Sequence, residues 1–84
     1  MKKKIIMTTG DLKEPYEIID IITAHKRLTQ PKIFNQIVIG KVNSMLIEEA
    51  QTLQADAIIG VGYTMERTEK GASILGYGTA VKFL

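Results

Sequence analysis

One segment of this chain carries a helical period, and that limits the architectures open to it. Between Ile33 and Leu53 the apolar residues recur as Ile33/Phe34, Ile37/Val38, Val42, Met45/Leu46, Ala50 and Leu53. Steps of three and four place them on one stripe of a helix. Lys41, Asn43, Glu48, Glu49 and Gln51 fall on the opposite side. Pro31 is tolerated in a first helical turn, with Thr29 or Gln30 as the cap, so the expected helix opens there and ends near Gln54. Gly40 interrupts the pattern, marking a kink, a break into two helices or a close packing contact.

The rest of the chain favours extended structure. Lys4 to Thr8, Tyr16 to Ala24, Ala57 to Met65 and Ser73 to Phe83 are β-prone runs. Gly10, Asp11 and Pro15 mark a loop after the first run. Glu66, Arg67, Glu69, Lys70 and Gly71 form a polar turn that makes the last two runs a hairpin. The order is β-β-α-β-β. The expectation is an α+β fold, residues 1–84 as a single domain, in which a small antiparallel sheet packs on one main helix. One helix covers one face of a sheet. In the second run Glu17 and Asp20 fall in opposite phases of the strand alternation, so one face of that strand is expected to meet the core and the other a neighbouring subunit.

Composition sharpens that expectation. A single chain of 84 residues buries a modest share of its surface, yet 45% of these residues are hydrophobic. Surplus apolar surface on a small subunit points to a homo-oligomer. The formal charge is +2, with Lys2, Lys3 and Lys4 at the start and Lys26 and Arg27 as a pair. None of the aromatics (Tyr16, Phe34, Tyr63, Tyr77, Phe83) lies inside a basic cluster, so nucleic acid is not the expected partner. The absence of cysteine excludes disulfides and thiolate chemistry. The apolar stretch Ile5 to Met7 is too short for a signal core, and no run approaches a membrane span, so neither membrane nor export is expected and the cytoplasm is the default location.

The final third carries a family resemblance. Ala55-Asp56-Ala57-Ile58-Ile59-Gly60-Val61, followed by Gly78-Thr79-Ala80-Val81-Lys82, resembles the YbjQ-like family of "putative heavy-metal-binding" proteins. Thr8-Thr9, Tyr16-Glu17-Ile18 and Ile33-Phe34 support the match in the same order. The resemblance implies a compact two-layer subunit of YbjQ or dodecin-like type that assembles into a ring, commonly a pentamer. Family members place a glycine before Ala-Asp-Ala, where it serves as a left-handed helix cap. Here Gln54 stands there, so a looser or differently built cap is expected.

A divalent metal ion is the cofactor the family label suggests. The candidate ligands are His25, Asp20 and Glu17, one imidazole with carboxylates, a set suited to zinc or a harder cation. No HxxxH, CxxC or EF-hand spacing occurs, and Lys26 and Arg27 beside His25 repel a cation. A site shared between subunits needs only one or two ligands from each. Gly60-Val61-Gly62 and Gly76-Tyr77-Gly78 do not complete a phosphate loop; inside strand patterns they read as bulges or close backbone approach. Ser44 and Ser73 lack the context of a nucleophile, and Glu48 and Glu49 diverge as neighbours on a helix, so no enzyme is expected. Asp56, between helix and third strand, is read as structural with Gly60 and Gly78: a short acceptor fixing the turn through nearby backbone amides. The expected function is therefore metal-ion or small-ligand binding at subunit contacts. The alternatives are a dodecin-like carrier stacking a small aromatic ligand on Tyr63 or Tyr77, and a purely structural oligomer.

Overall fold

The computed structural model describes residues 4–28, 36–68 and 71–84. Five elements follow in order: β1 (Ile6–Met7), β2 (Tyr16–Leu28), α1 (Gln36–Thr52), β3 (Ala57–Thr68) and β4 (Gly71–Phe83). They form an α+β domain in which a four-stranded sheet of order β1-β3-β4-β2 packs against the one helix. The expected helix start at Thr29 to Pro31, the Ile33/Phe34 pair and the turn residues Glu69 and Lys70 lie outside the described residues.

The sheet is mixed, where an antiparallel one was expected. β3 and β4 form the hairpin, and β2 adds antiparallel to the far side of β4. That makes β2 parallel to β3 with β4 between them, a split β-α-β unit bridged by α1. β1 joins the other edge parallel to β3, pairing Ile6 with Ala57 and Met7 with Ile58. Because β1 and β2 lie on opposite edges, the loop between them crosses the sheet and cannot form a hairpin.

The strands also run further than residue type suggests. Glu66 and Arg67, read as turn residues, pair within the ladder with Ser73 and Ala72. Lys26 and Arg27 likewise pair with Ile74 and Ser73. Backbone pairing continues wherever two strands stay side by side, and an exposed strand end tolerates charge.

Alternation along β4 divides the core. On one face Ala72, Ile74, Ala80, Ile22, Ala24, Ile58 and Val61 meet Val42, Leu46 and Ala50 of α1. Gly76 lies directly beneath Val42, where any side chain would collide with the helix. The helix runs through Gly40 without a break. Asn43, read as a solvent-facing residue, accepts a hydrogen bond from the Tyr63 hydroxyl. On the other face, among the described residues, a small cluster forms, Ala57, Ile59 and Val81 under Leu12 of the crossing segment and Tyr16 at the start of β2.

The helix ends in a Schellman turn. The Gln54 amide donates to the Gln51 carbonyl at 3.0 Å and the Ala55 amide to the Ala50 carbonyl at 2.9 Å. Gln54 itself takes the left-handed conformation, with φ of 59°. Where a looser or differently built cap was expected, the Schellman turn forms with Gln54 itself in the left-handed position. Two bulges shape the sheet, between Ile18 and Asp20 in β2 and between Ile59 and Gly62 in β3. In the second, Gly60 adopts φ of 60° and its amide donates to the Gly10 carbonyl at 2.9 Å, while Thr8 and Val61 bond alongside. Among the described residues no helix is long and apolar enough to cross a membrane.

Candidate functional site: the open face of the sheet

Among the described residues, the face of the sheet away from α1 is covered at one end only. The β2 bulge inserts one residue, so Ile18 and Ile21 share this face, opposite Val81 and Thr79. Ile18 is 66% exposed and Ile21 71%. Beside them stand Tyr77 and Phe83, also exposed, and the half-buried Leu75. Such a stripe leaves water-contacting apolar area that a monomer has no means to hide. β2 is also an edge strand, so one side of its 13 residues lacks a strand partner within the sheet.

Beyond the apolar stripe, toward the hairpin end, the same face turns polar. His25, Arg27, Glu66 and Ser73 line a recess of about 480 Å³, with Gly71 and Ala72 completing it. On the flank of the subunit a second groove of about 540 Å³ runs between β2 and α1, lined by Thr23, Met45, Glu48, Glu49 and Thr52 among others.

The structure separates the three candidate metal ligands. Glu17 pairs with Lys82, Asp20 with Ala80 and His25 with Leu75. At a rise of about 3.3 Å per residue, Glu17 and His25 are roughly 26 Å apart along the strand. Asp20 turns its carboxylate back on the Ile21 amide at 2.8 Å. Among the described residues no three His, Asp or Glu side chains gather where they could hold a metal ion. A metal held by His25, Asp20 and Glu17 would need separate sites, or ligands from another chain.

Of the residues read as structural, Asp56 accepts the Phe83 amide at 2.8 Å and donates its own amide to the Val81 carbonyl at 2.8 Å. Those partners belong to the last strand, not to the adjacent turn. Gly60 occupies the β3 bulge, and Gly78 pairs with Ile22, its missing side chain leaving room for Ile58. Of the two tyrosines considered for stacking, Tyr63 packs into the helix-side core, and Tyr77 stays on the open face with its ring across Gly62. Ser44 donates to the Gly40 carbonyl at 3.0 Å, an ordinary intrahelical contact.

Two arrangements were not visible beforehand. The Tyr16 hydroxyl, at the start of β2, donates to Asp11 of the crossing segment at 2.7 Å, and Asp11 also accepts the Leu12 amide. The hydroxyl bond, then the amide, hold the Asp11 carboxyl below the usual carboxylate range. The same bond, with lesser contributions from burial and the nearby charge, raises the Tyr16 phenol. The Arg27–Ser73–Glu66 row was missed because Glu66 was read as turn. Period-two spacing of polar residues beyond the apolar run was the available signal.

Fold and face together define a small two-layer α+β domain with a mixed four-stranded sheet on one helix among the described residues. The chain belongs to the YbjQ_1 family, described as "Putative heavy-metal-binding", whose model matches residues 41–84. Its structure is similar to a crystal structure at 2.73 Å of a protein of unknown function from Pediococcus pentosaceus ATCC 25745, assigned to the DUF74 family. The TM-score is 0.82 at 26% identity, covering 95% of this chain and 98% of that one. No curated protein matches. Neither match names an enzymatic activity.

Proposed function

We propose that this protein is a cytoplasmic, ring-forming homo-oligomer, most simply a pentamer as the family resemblance implies, that binds a metal ion or small ligand where subunits meet. The uncovered sheet face carries this reading. Ile18 is 66% exposed, Ile21 71% and Tyr77 41%, an apolar stripe on one face that a neighbouring surface would cover. A second copy is the occupant that fits: Ile18, Ile21 and Tyr77 offer apolar area, and the free edge of β2 offers backbone partners.

Native mass spectrometry on protein purified without chelator tests both halves. A closed multiple of the subunit mass supports the assembly, and Ile21→Lys, which buries a charge at its centre, should shift the population toward monomer. A wild-type monomer at micromolar concentration overturns it. Extra mass identified as metal by elemental analysis supports the metal half. A copurified chromophore would instead favour an aromatic ligand on Tyr77, the reading its exposed ring supports.

A further inference from the structure

We infer that the recess at the hairpin end of the open face is a binding site for a small molecule carrying an oxyanion at one end and an amine or hydroxyl donor at the other. The inference deepens the small-ligand half of the proposed function by naming the ligand chemistry. It does not depend on assembly, because one chain supplies every lining residue.

Strand register builds the site. Arg27 pairs with Ser73, and Ser73 with Glu66, so the three stand in one row across β2, β4 and β3. Neighbouring strands lie about 4.8 Å apart, which sets the backbones carrying the guanidinium and the carboxylate nearly 10 Å apart, with the hydroxyl between them. His25 is the next residue along β2 on the same face, about 7 Å from Arg27. The recess they line with Gly71 and Ala72 is about 480 Å³, within the range of about 300–1,000 Å³ of small-ligand sites. His25, Arg27 and Glu66 are exposed and Ser73 half-buried, so their polar ends are open to a ligand.

The chemistry has a direction. Arginine presents a planar fork matched to phosphate or carboxylate, and the Ser73 hydroxyl and His25 imidazole add donors on the same side. Glu66, across the row, accepts from an ammonium or hydroxyl group. A bare metal cation would have His25 and Glu66 for ligands but would sit beside Arg27, whose charge opposes it. The recess therefore selects a bifunctional oxyanion over a cation.

The test is an amide-resolved NMR titration in a phosphate-free buffer with three probes: phosphoethanolamine, inorganic phosphate and zinc ion. Saturable shifts at Arg27, Ser73 and Glu66 are expected with phosphoethanolamine, and weaker binding with inorganic phosphate. Arg27→Gln should weaken both phosphates by about tenfold. Glu66→Gln should remove the advantage of the amine while leaving inorganic phosphate as tight or tighter. Unsaturable shifts, undiminished phosphate binding in Arg27→Gln, or zinc bound more tightly than phosphoethanolamine at these residues in the wild type would each overturn the inference. Measuring assembly and binding together on wild type separates the two readings: a monomer that still binds refutes the ring alone, and an assembled protein that does not bind refutes the site alone.

Discussion

Replacing Gln54 with glycine should make this protein more stable, and the size of the gain follows from one dihedral angle. Gln54 sits at φ of 59° in the turn that closes α1. An L-residue in that region crowds its Cβ against the following carbonyl at a cost of roughly 1–2 kcal/mol, which glycine avoids. Against this, glycine frees the unfolded chain by roughly 0.4–1 kcal/mol. The difference leaves a net gain of about 0.5–1 kcal/mol. The two capping hydrogen bonds use backbone atoms only, and the Gln54 side chain is exposed, so the substitution deletes no packing. For a domain of this size the melting temperature should rise by about 2–8 °C. Thermal unfolding followed by circular dichroism at matched subunit concentration is the assay, since assembly makes the midpoint concentration-dependent. Gln54→Ala is the control: it keeps the Cβ and should stay within about 0.5 kcal/mol of wild type. An unchanged or lower midpoint for Gln54→Gly, or an equal rise for Gln54→Ala, refutes the argument from backbone strain.

Three further outcomes are expected. Gly40 and Gly76 should respond oppositely to alanine: Gly40→Ala gains up to about 1 kcal/mol because it is helical, exposed and has nothing within 4 Å of its added carbon, while Gly76→Ala loses about 1–3 kcal/mol by colliding with Val42. Chemical denaturation of the pair reads both signs. Asp56→Ala should cost about 0.5–1.5 kcal/mol by removing the bond to the exposed Phe83 amide, with binding at the hairpin end unaltered in the same titration. The Asp11–Tyr16 bond has a defined pH window. The lowered carboxyl contributes stability above the pH at which free aspartate titrates, and that contribution is lost as pH falls through the folded value. The raised phenol contributes below the pH at which free tyrosine titrates, and its share is lost as pH rises through the folded value. Tyr16→Phe should therefore flatten both limbs of the stability–pH curve, and a curve identical to wild type would show the bond contributes nothing.

Much of this could be read from local pattern. The body of α1 was legible because burial on one side imposes a three-and-four repeat, and the strand cores because β-branched residues cluster in them. The family resemblance added the Ala-Asp-Ala hinge between helix and β3. The open face was foreshadowed by β2, where neither phase of the alternation is purely apolar. What tertiary structure decided is everything set by pairing between distant residues. Ile6 lies beside Ala57, which places β1 parallel on an edge, and Asp56 reaches across to Phe83 at the end of the last strand. Arg27, Ser73 and Glu66 become neighbours only once β4 inserts between β2 and β3. Local propensity acts over a few residues, whereas register is fixed by which side chains the single helix can bury. For that reason His25, Asp20 and Glu17, close in sequence, spread out along one strand, while the recess at the hairpin end gathers from three.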